Sequence, residues 1–255
     1  MLLAIDIGNS NIVIGCVENG KICHETRLAT ELIKTSDQYS MDLKNLLVLQ
    51  NISLDILEGV IISSVVPPVL NSFITAVKKV TGRAPMVVGP GIKTGLNIKT
   101  DNPAQVGSDM VVAAVAAMQE YPLPQIIIDM GTATTFSVID KTGAYLGGSI
   151  CPGVKISSEA LTARTAQLPG ISLEAPKRVI GKNTVDCMRS GIMLGAACMI
   201  DGMIERIEEE LGEKTTVIAT GGISRFVIPM CKRKVQYDRD LLVKGLTILH
   251  EQNKR

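Results

Sequence analysis

The sequence predicts an α/β protein of two similar halves, residues 1–122 and 123–255, and three observations predict it. An acid–apolar–glycine–polar motif at Asp6–Asn9 returns at Asp129–Thr132, 123 positions later. In each copy a largely apolar run leads to the acid (Leu2–Ile5, Gln125–Ile128) and an alternating stretch leaves it (Ile12–Val17, Phe136–Ile139). A turn glycine then stands 14 residues past the acid, at Gly20 and Gly143. An offset of half the chain points to two related halves rather than a short-period solenoid. Finally, the apolar mass is Ile, Val, Leu, Ala and Met, with only 3% aromatics, as in cores built on buried strands.

In order, the first copy reads as a β-hairpin with a small-residue tip, and Gly20 to Leu28 as a third antiparallel strand. Ser36 and Asp37 look like the cap of a helix through Leu49. Gly59–Val66 is a buried strand stopped by Pro67 and Pro68, which suit the first turn of an amphipathic helix over Val69–Val80. Met86–Val88 is a short strand, 89–103 a loop, and 106–120 a small-residue helix. Tyr121–Pro124 marks the joint between the halves. The second half repeats the hairpin, with Ala144–Ile150 as its third strand. Pro152-Gly153 starts a helical region to about Ala166, 168–181 is loop, and a long helix spans Thr184–Leu211. Thr215–Ala219 is a strand, Gly221-Gly222 a turn into a helix, and 238–252 a closing helix. Three antiparallel strands followed by helix–strand alternation, twice, describe two ribonuclease-H-like α/β domains.

Charge and composition exclude several partners. Twenty-six basic and 25 acidic residues leave a net charge of +1 with no basic run or acidic tail. Nucleic acid and membrane surfaces are therefore not expected partners. The six cysteines show no C-x-x-C pair and only two histidines could join them, so reduced core thiols in a cytoplasmic protein are expected. No signal peptide is expected, because Met1–Leu3 runs straight into Asp6.

The repeated tips carry the chemistry. Gly8 and Gly131 let a ligand approach the backbone, while Asn9, Ser10, Thr132 and Thr134 offer polar groups. Two such tips facing each other could hold a polyphosphate, with Asp6 and Asp129 placed for metal or bound water. A D-x-G-polar turn standing once would be only a hairpin; two copies at matched spacing favour a phosphate cleft. This double hairpin resembles the acetate kinase, sugar kinase, Hsc70 and actin superfamily, which implies two actin-like ATPase domains facing an ATP cleft. Outside the hairpins, the polar loop from Asp101 delivers Asp109 into the first turn of an apolar helix. Asp109 is either an acid favoured there by the helix dipole or a general base beside the phosphates.

The segments Asp6–Ser10, Asp101–Asp109, Asp129–Thr135, Ala144–Gly148, Pro152-Gly153, Gly181–Thr184 and Ala219–Gly222 resemble the type III pantothenate kinase family, in family order. The resemblance implies ATP-dependent phosphorylation of pantothenate to 4′-phosphopantothenate, the first step towards coenzyme A. By position it implies ATP binding by Asp6, Ile7, Gly8, Asn9, Ser10, Asn11, Ile12 and Val13, with Thr132 on the phosphates. Asp109 becomes the proton acceptor, while Gly107, Ser108, Met110 and Thr184 line the pantothenate pocket. Asp129 becomes the ligand of a monovalent cation, K⁺ or NH₄⁺, with Mg²⁺ carried on the phosphates. In this family the long helix, and Thr184 with it, comes from the partner subunit of a homodimer. Independently, Gly191, Gly195, Ala196, Cys198 and Gly202 give that helix a small-residue face, suited to close packing either within one subunit or across a dimer. Three positions depart from the family, whose Gly-Ala-Asp-Arg reads Gly107-Ser108-Asp109-Met110 here: serine for alanine is a mild change, Met110 replaces an arginine, and Thr100 stands where many relatives place a tyrosine. The alternatives to a pantothenate kinase are a non-catalytic ATP-binding regulator and a kinase of a related hydroxylated small molecule.

Overall fold

The computed structural model describes residues 1–254; Arg255, the last residue of the expected second half, lies outside them. β1 (Leu2–Ile7) is buried at every position, as a strand covered on both faces must be. It turns at Gly8 to Ser10 into β2 (Asn11–Glu18) and at Asn19-Gly20 into β3 (Lys21–Ala29), an antiparallel meander. Asn19 and Gly20 have φ of 50° and 74°, the left-handed pair a two-residue hairpin turn demands. α1 (Ser36–Leu49) is capped by Thr35, one residue ahead of the expected cap. The Thr35 hydroxyl accepts the Gln38 N–H and the Gln38 side chain accepts the Thr35 N–H. β4 (Gly59–Ser64) ends two residues before the expected Val66, α2 (Pro67–Thr81) begins on its prolines, and β5 (Met86–Val87) follows.

These strands form one sheet in the order β3-β2-β1-β4-β5, with β1, β4 and β5 parallel. Leu3, Ile5 and Ile7 join Tyr39 and Leu43 of α1 and Phe73 of α2 in one core. There the Tyr39 and Phe73 rings meet edge to face at 5.2 Å.

The expected loop 89–103 contains a strand that a two-residue pairing hid from the sequence reading, β6 (Asn97–Ile98). α3 (Ser108–Glu120) then starts two residues later than expected. β7 (Gln125–Met130), β8 (Ala133–Ile139) and β9 (Ala144–Pro152) repeat the meander. After α4 (Val154–Arg164) and a loop, the long helix comes in three parts. α5 (Thr184–Arg189) passes through a π-helical turn, Ser190–Leu194, into α6 (Gly195–Leu211). β10 (Thr216–Thr220), the short α7 (Ser224–Val227), an unexpected β11 (Gln236–Tyr237) and α8 (Leu241–Asn253) complete the chain.

The second sheet is ordered β11-β10-β7-β8-β9-β6, which is the first sheet's order with β6 added at one edge. Residues 184–211 are long and apolar enough to cross a bilayer by length and composition. Here Met193, Ala197, Ile200 and Ile204 instead pack against Ile126, Ile128 and Phe136 of the sheet. All six cysteines are free; Cys16 is buried and Cys151 and Cys231 are half-buried against the second core, whereas Cys23, Cys187 and Cys198, against the expectation of core thiols, are exposed on outward positions of their elements.

By packing, the chain forms two discontinuous units. One comprises residues 1–95, 102–116 and the segment from Leu241 on; the other comprises 96–101 and 117–240. They differ from the contiguous halves 1–122 and 123–255 chiefly through α8, which closes over the first sheet. Val243 fills the space beside Gly15, with its Cγ2 2.9 Å from where a Gly15 side chain would begin. Gly245 lets α8 lie directly on the Val112 carbonyl of α3. A methyl group there would press on backbone, which cannot yield as a flexible side chain can. Gly245→Ala should therefore lower the unfolding free energy by about 1–3 kcal/mol, despite the ~1 kcal/mol alanine gains over glycine in helix propensity. Urea titration measures this, and a variant as stable as the parent would show that α3 and α8 separate freely.

Candidate active site

In the first unit, Asp6 is buried at 8% exposure near the carboxyl end of β1. β1 and β4 run parallel, with Asp6 opposite Ser63 and Ile7 opposite Ser64. The chain leaves both strands at this edge, the kind of place where open α/β sheets gather their ligands. The hairpin tip extends from it. The Gly8 N–H donates to the Asn11 carbonyl at 3.0 Å, and the Thr30 N–H to the Ser10 carbonyl at 3.1 Å. The Thr30 hydroxyl donates to the Gly8 carbonyl at 2.6 Å. The tip is thus braced from β3's end, leaving Asn9, Ser10 and Asn11 exposed while Ile7 and Ile12 are buried beneath and Val13 is half-buried. Thr30 escaped the sequence reading, because a threonine ending an amphipathic strand carries no signal of its own.

α3 begins at the same edge. The Ser108 hydroxyl donates to the Ser64 carbonyl at 2.9 Å and accepts from the Ser64 N–H at 3.2 Å and the Ser63 hydroxyl at 3.0 Å. Ser108 therefore turns its side chain to β4. Asp109, half-buried, comes next, and its Oδ1 accepts the Met110 N–H at 2.8 Å. Gly107 leaves room for that carboxylate: an added Cβ would stand 2.5 Å from Oδ1. Burial pushes the Asp109 carboxyl above the ordinary aspartate range, against the lowering effect of the Met110 N–H. Met110 is half-buried in the same turn and brings no charge.

In the second unit, Asp129 holds the corresponding place on β7, opposite Thr135 of β8 and beside Thr220 of the parallel β10. Two glycines crowd this edge. An added Cβ on Gly153 would meet the Gly131 carbonyl oxygen at 2.7 Å, against the tip that carries Thr132. One on Gly221 would lie 2.6 Å from both Asp129 Oδ1 and the Met130 carbonyl oxygen. The absence of a side chain at Gly221 thus lets its backbone lie close against the Asp129 carboxylate and the Met130 carbonyl, both oxygen donors of the kind a hard cation takes. Thr184 belongs to another element, the exposed first turn of α5 behind its Asn183 cap. Thr100 carries a buried hydroxyl with no hydrogen-bond partner among the described residues.

Two sheets of one topology, each with an acid and a glycine-led tip at the carboxyl edge of its central strand, define an ATP-binding protein of the actin-like ATPase and sugar kinase fold. The activator of 2-hydroxyisocaproyl-CoA dehydratase from Clostridium difficile, solved with bound ADPNP, shares this fold at a TM-score of 0.57 and 15% identity, over 98% of this chain and 95% of that one. Within the fold, the family model for type III pantothenate kinase matches residues 2–206, and the chain belongs to that family. The type III pantothenate kinase of Bacillus cytotoxicus is 44% identical over 253 residues, covering 99% of this chain and 97% of that protein. That of an Exiguobacterium species is 44% identical over 255 residues, with both chains covered fully. The activity is accordingly the ATP-dependent phosphorylation of pantothenate in coenzyme A biosynthesis.

The Asp109 environment makes a stability prediction. With its folded pKa raised, the carboxyl binds its proton more tightly folded than unfolded, so its contribution is fully present below the unfolded pKa and is lost as pH rises through the folded one. At neutral pH the buried carboxylate is a cost. Asp109→Asn should hold or raise Tm at pH 7, and the advantage over the parent should shrink as pH falls through the carboxylate range. Thermal melts across that range test it; a variant less stable at pH 7 would mean the carboxylate is stabilised where it sits.

Proposed function

We propose that the edge of the first sheet is the catalytic edge of this kinase, with Asp109 as its general base. The observation that carries the reading is the convergence of the Asp6 tip and the Asp109 turn on the ends of β1 and β4. The segment Asp6 to Val13 holds ATP at its exposed tip, through the Asn9, Ser10 and Asn11 residues, and Thr132 contacts its phosphates. As the pantothenate 4′-hydroxyl oxygen attacks the γ-phosphorus, the Asp109 carboxylate accepts its proton and ADP departs. Burial raises the Asp109 pKa, so its carboxylate takes up a proton more readily than an exposed aspartate, which suits that transfer. Gly107, Ser108 and Met110 border the hydroxyl's approach, Ser108 through its backbone alone because its hydroxyl is committed to β4. Thr184 contributes a hydroxyl to pantothenate.

Mg²⁺ would be carried on the ATP phosphates, where it would neutralise developing charge. The monovalent cation is assigned to Asp129, supported by the carboxylate and the Met130 carbonyl oxygen that lie together against Gly221. The homodimer draws support from the long helix: side chains added at Gly191, Gly195 or Gly202 would meet nothing within 4 Å in this chain. These three glycines thus stand open within the subunit, while Ala196 packs on the second core. At Met110 the substrate carboxylate meets packing where an arginine would supply charge-assisted bonds, which points to weaker binding of pantothenate.

Asp109→Asn should lower kcat by ~10²–10⁴-fold with ATP affinity nearly unchanged, and the parent's kcat should fall on acidification through a pKa above the ordinary aspartate range. A coupled ADP-release assay with and without pantothenate reads both. Near-full turnover by the Asn variant would reduce Asp109 to a helix-end acid.

For the cation, activity should depend on K⁺ or NH₄⁺ and be poorly supported by Na⁺, too small to reach the same oxygens, while Asp129→Ala should abolish that dependence with most of the activity. Equal rates in Na⁺ and K⁺ buffers would remove the cation from Asp129.

A further inference from the structure

We infer that Ser108 is a positioning residue for catalysis: its hydroxyl takes the place of a missing strand partner at the end of β4 and so fixes the turn that carries Asp109. This rests on the reading of Asp109 as the base. β5 ends at Val87 opposite Ile62, and the Val88 N–H makes its last bond to β4, to the Ile62 carbonyl at 2.8 Å. Residues two apart in a strand direct their backbone groups to the same neighbour. The N–H and carbonyl of Ser64 therefore point to where β5 no longer runs.

The Ser108 hydroxyl takes both, receiving the N–H at 3.2 Å and donating to the carbonyl at 2.9 Å. Its remaining lone pair accepts the hydroxyl proton of Ser63, which is fully buried, at 3.0 Å. One donor and two acceptor positions are all a serine hydroxyl possesses, and each is used on β4. Because Ser63 and Ser64 pair with Asp6 and Ile7 of β1, the same hydroxyl ties the base-bearing turn to the strand that ends in the Asp6 tip. A turn held by one backbone connection could shift by a fraction of an ångström; held at three points on a buried strand, it cannot. Gly107 and the Met110 N–H set the carboxylate's orientation within that turn, and Ser108 sets where the turn stands.

The test is steady-state kinetics of the full-length enzyme carrying Ser108→Ala, Ser108→Thr and Asp109→Asn, with ATP and pantothenate varied separately and kcat followed against pH. Ser108→Ala should lower kcat about tenfold or more, since small misplacements of a reacting group are costly, while the KM for ATP stays within about twofold by the same argument. The acid limb of its kcat profile should move down towards an ordinary aspartate as the carboxylate gains water. Ser108→Thr, which keeps the hydroxyl, should recover most of kcat. Should Ser108→Ala fold poorly, Ser63→Ala removes one of the three bonds and should shift kcat and the acid limb in the same directions, less far.

An unchanged kcat in Ser108→Ala overturns the inference. So does a loss that tracks a lower Tm, with no movement of the acid limb and no rescue by threonine, because that describes a merely structural bond. Asp109→Asn separates the two levels. If it turns over normally, the base itself is misassigned. If it is inactive while Ser108→Ala is unaffected, the base stands and only the clamp fails.

Discussion

The parallel pairing of β1 with β4 is the constraint on which the first unit's site depends. Its register sets Asp6 beside Ser63 and Ile7 beside Ser64, so that two chain exits open at one edge. The hairpin tip leaves from one and the contact with α3 forms at the other. A slip of one residue would reverse the faces of β1, turning Leu3, Ile5 and Ile7 away from Tyr39 and Phe73 and the acid into the core. Core packing and site geometry are therefore enforced by the same alternation. The second unit repeats the arrangement with β7 and β10, where Asp129 pairs with Thr220.

Glycines then decide how closely backbone may approach at these edges. Gly107 clears space for the Asp109 carboxylate, Gly221 for the Asp129 oxygen, and Gly153 for the carbonyl oxygens of the second tip. Each is a packing requirement readable from neighbours, since a side chain at any of them would press on a polar group of the edge. Asp109 shows the balance: the backbone N–H groups of Met110 and of Asp109 itself steady its carboxylate, yet burial still raises its pKa. A carboxylate held where ionising is costly also fits the general-base role proposed for it.

A second set of polar contacts anchors the far end of the long helix. Glu208 is buried and accepts from Lys214 at 2.8 Å and from the Thr215 N–H at 2.9 Å, and also pairs with Arg233. Burial opposes its charge, but these partners together hold its carboxyl below the usual glutamate range. A buried carboxylate is tolerable only when so paired. The pairing joins the end of α6, the start of β10 and the approach to β11.

The repeat of Asp6–Asn9 in Asp129–Thr132, the meander after each copy, the proline start of α2 and the family were all legible in the sequence alone. They rest on local rules: strand alternation, turn glycines and side-chain chemistry at short spacing. The tertiary structure alone decided what depends on partners distant in sequence. β6 and β11 are two-residue strands that exist only because β9 and β10 present edges to them. α8 belongs with the first sheet because Gly15 and Gly245 admit it, which no local pattern announces. Ser108 read as a pocket residue from its place in the motif. Its hydroxyl points to β4 because β5 stops two residues early, a fact of pairing between strands 20 or more residues apart in the chain. Local chemistry names the groups that can act, and long-range pairing determines which way each one faces.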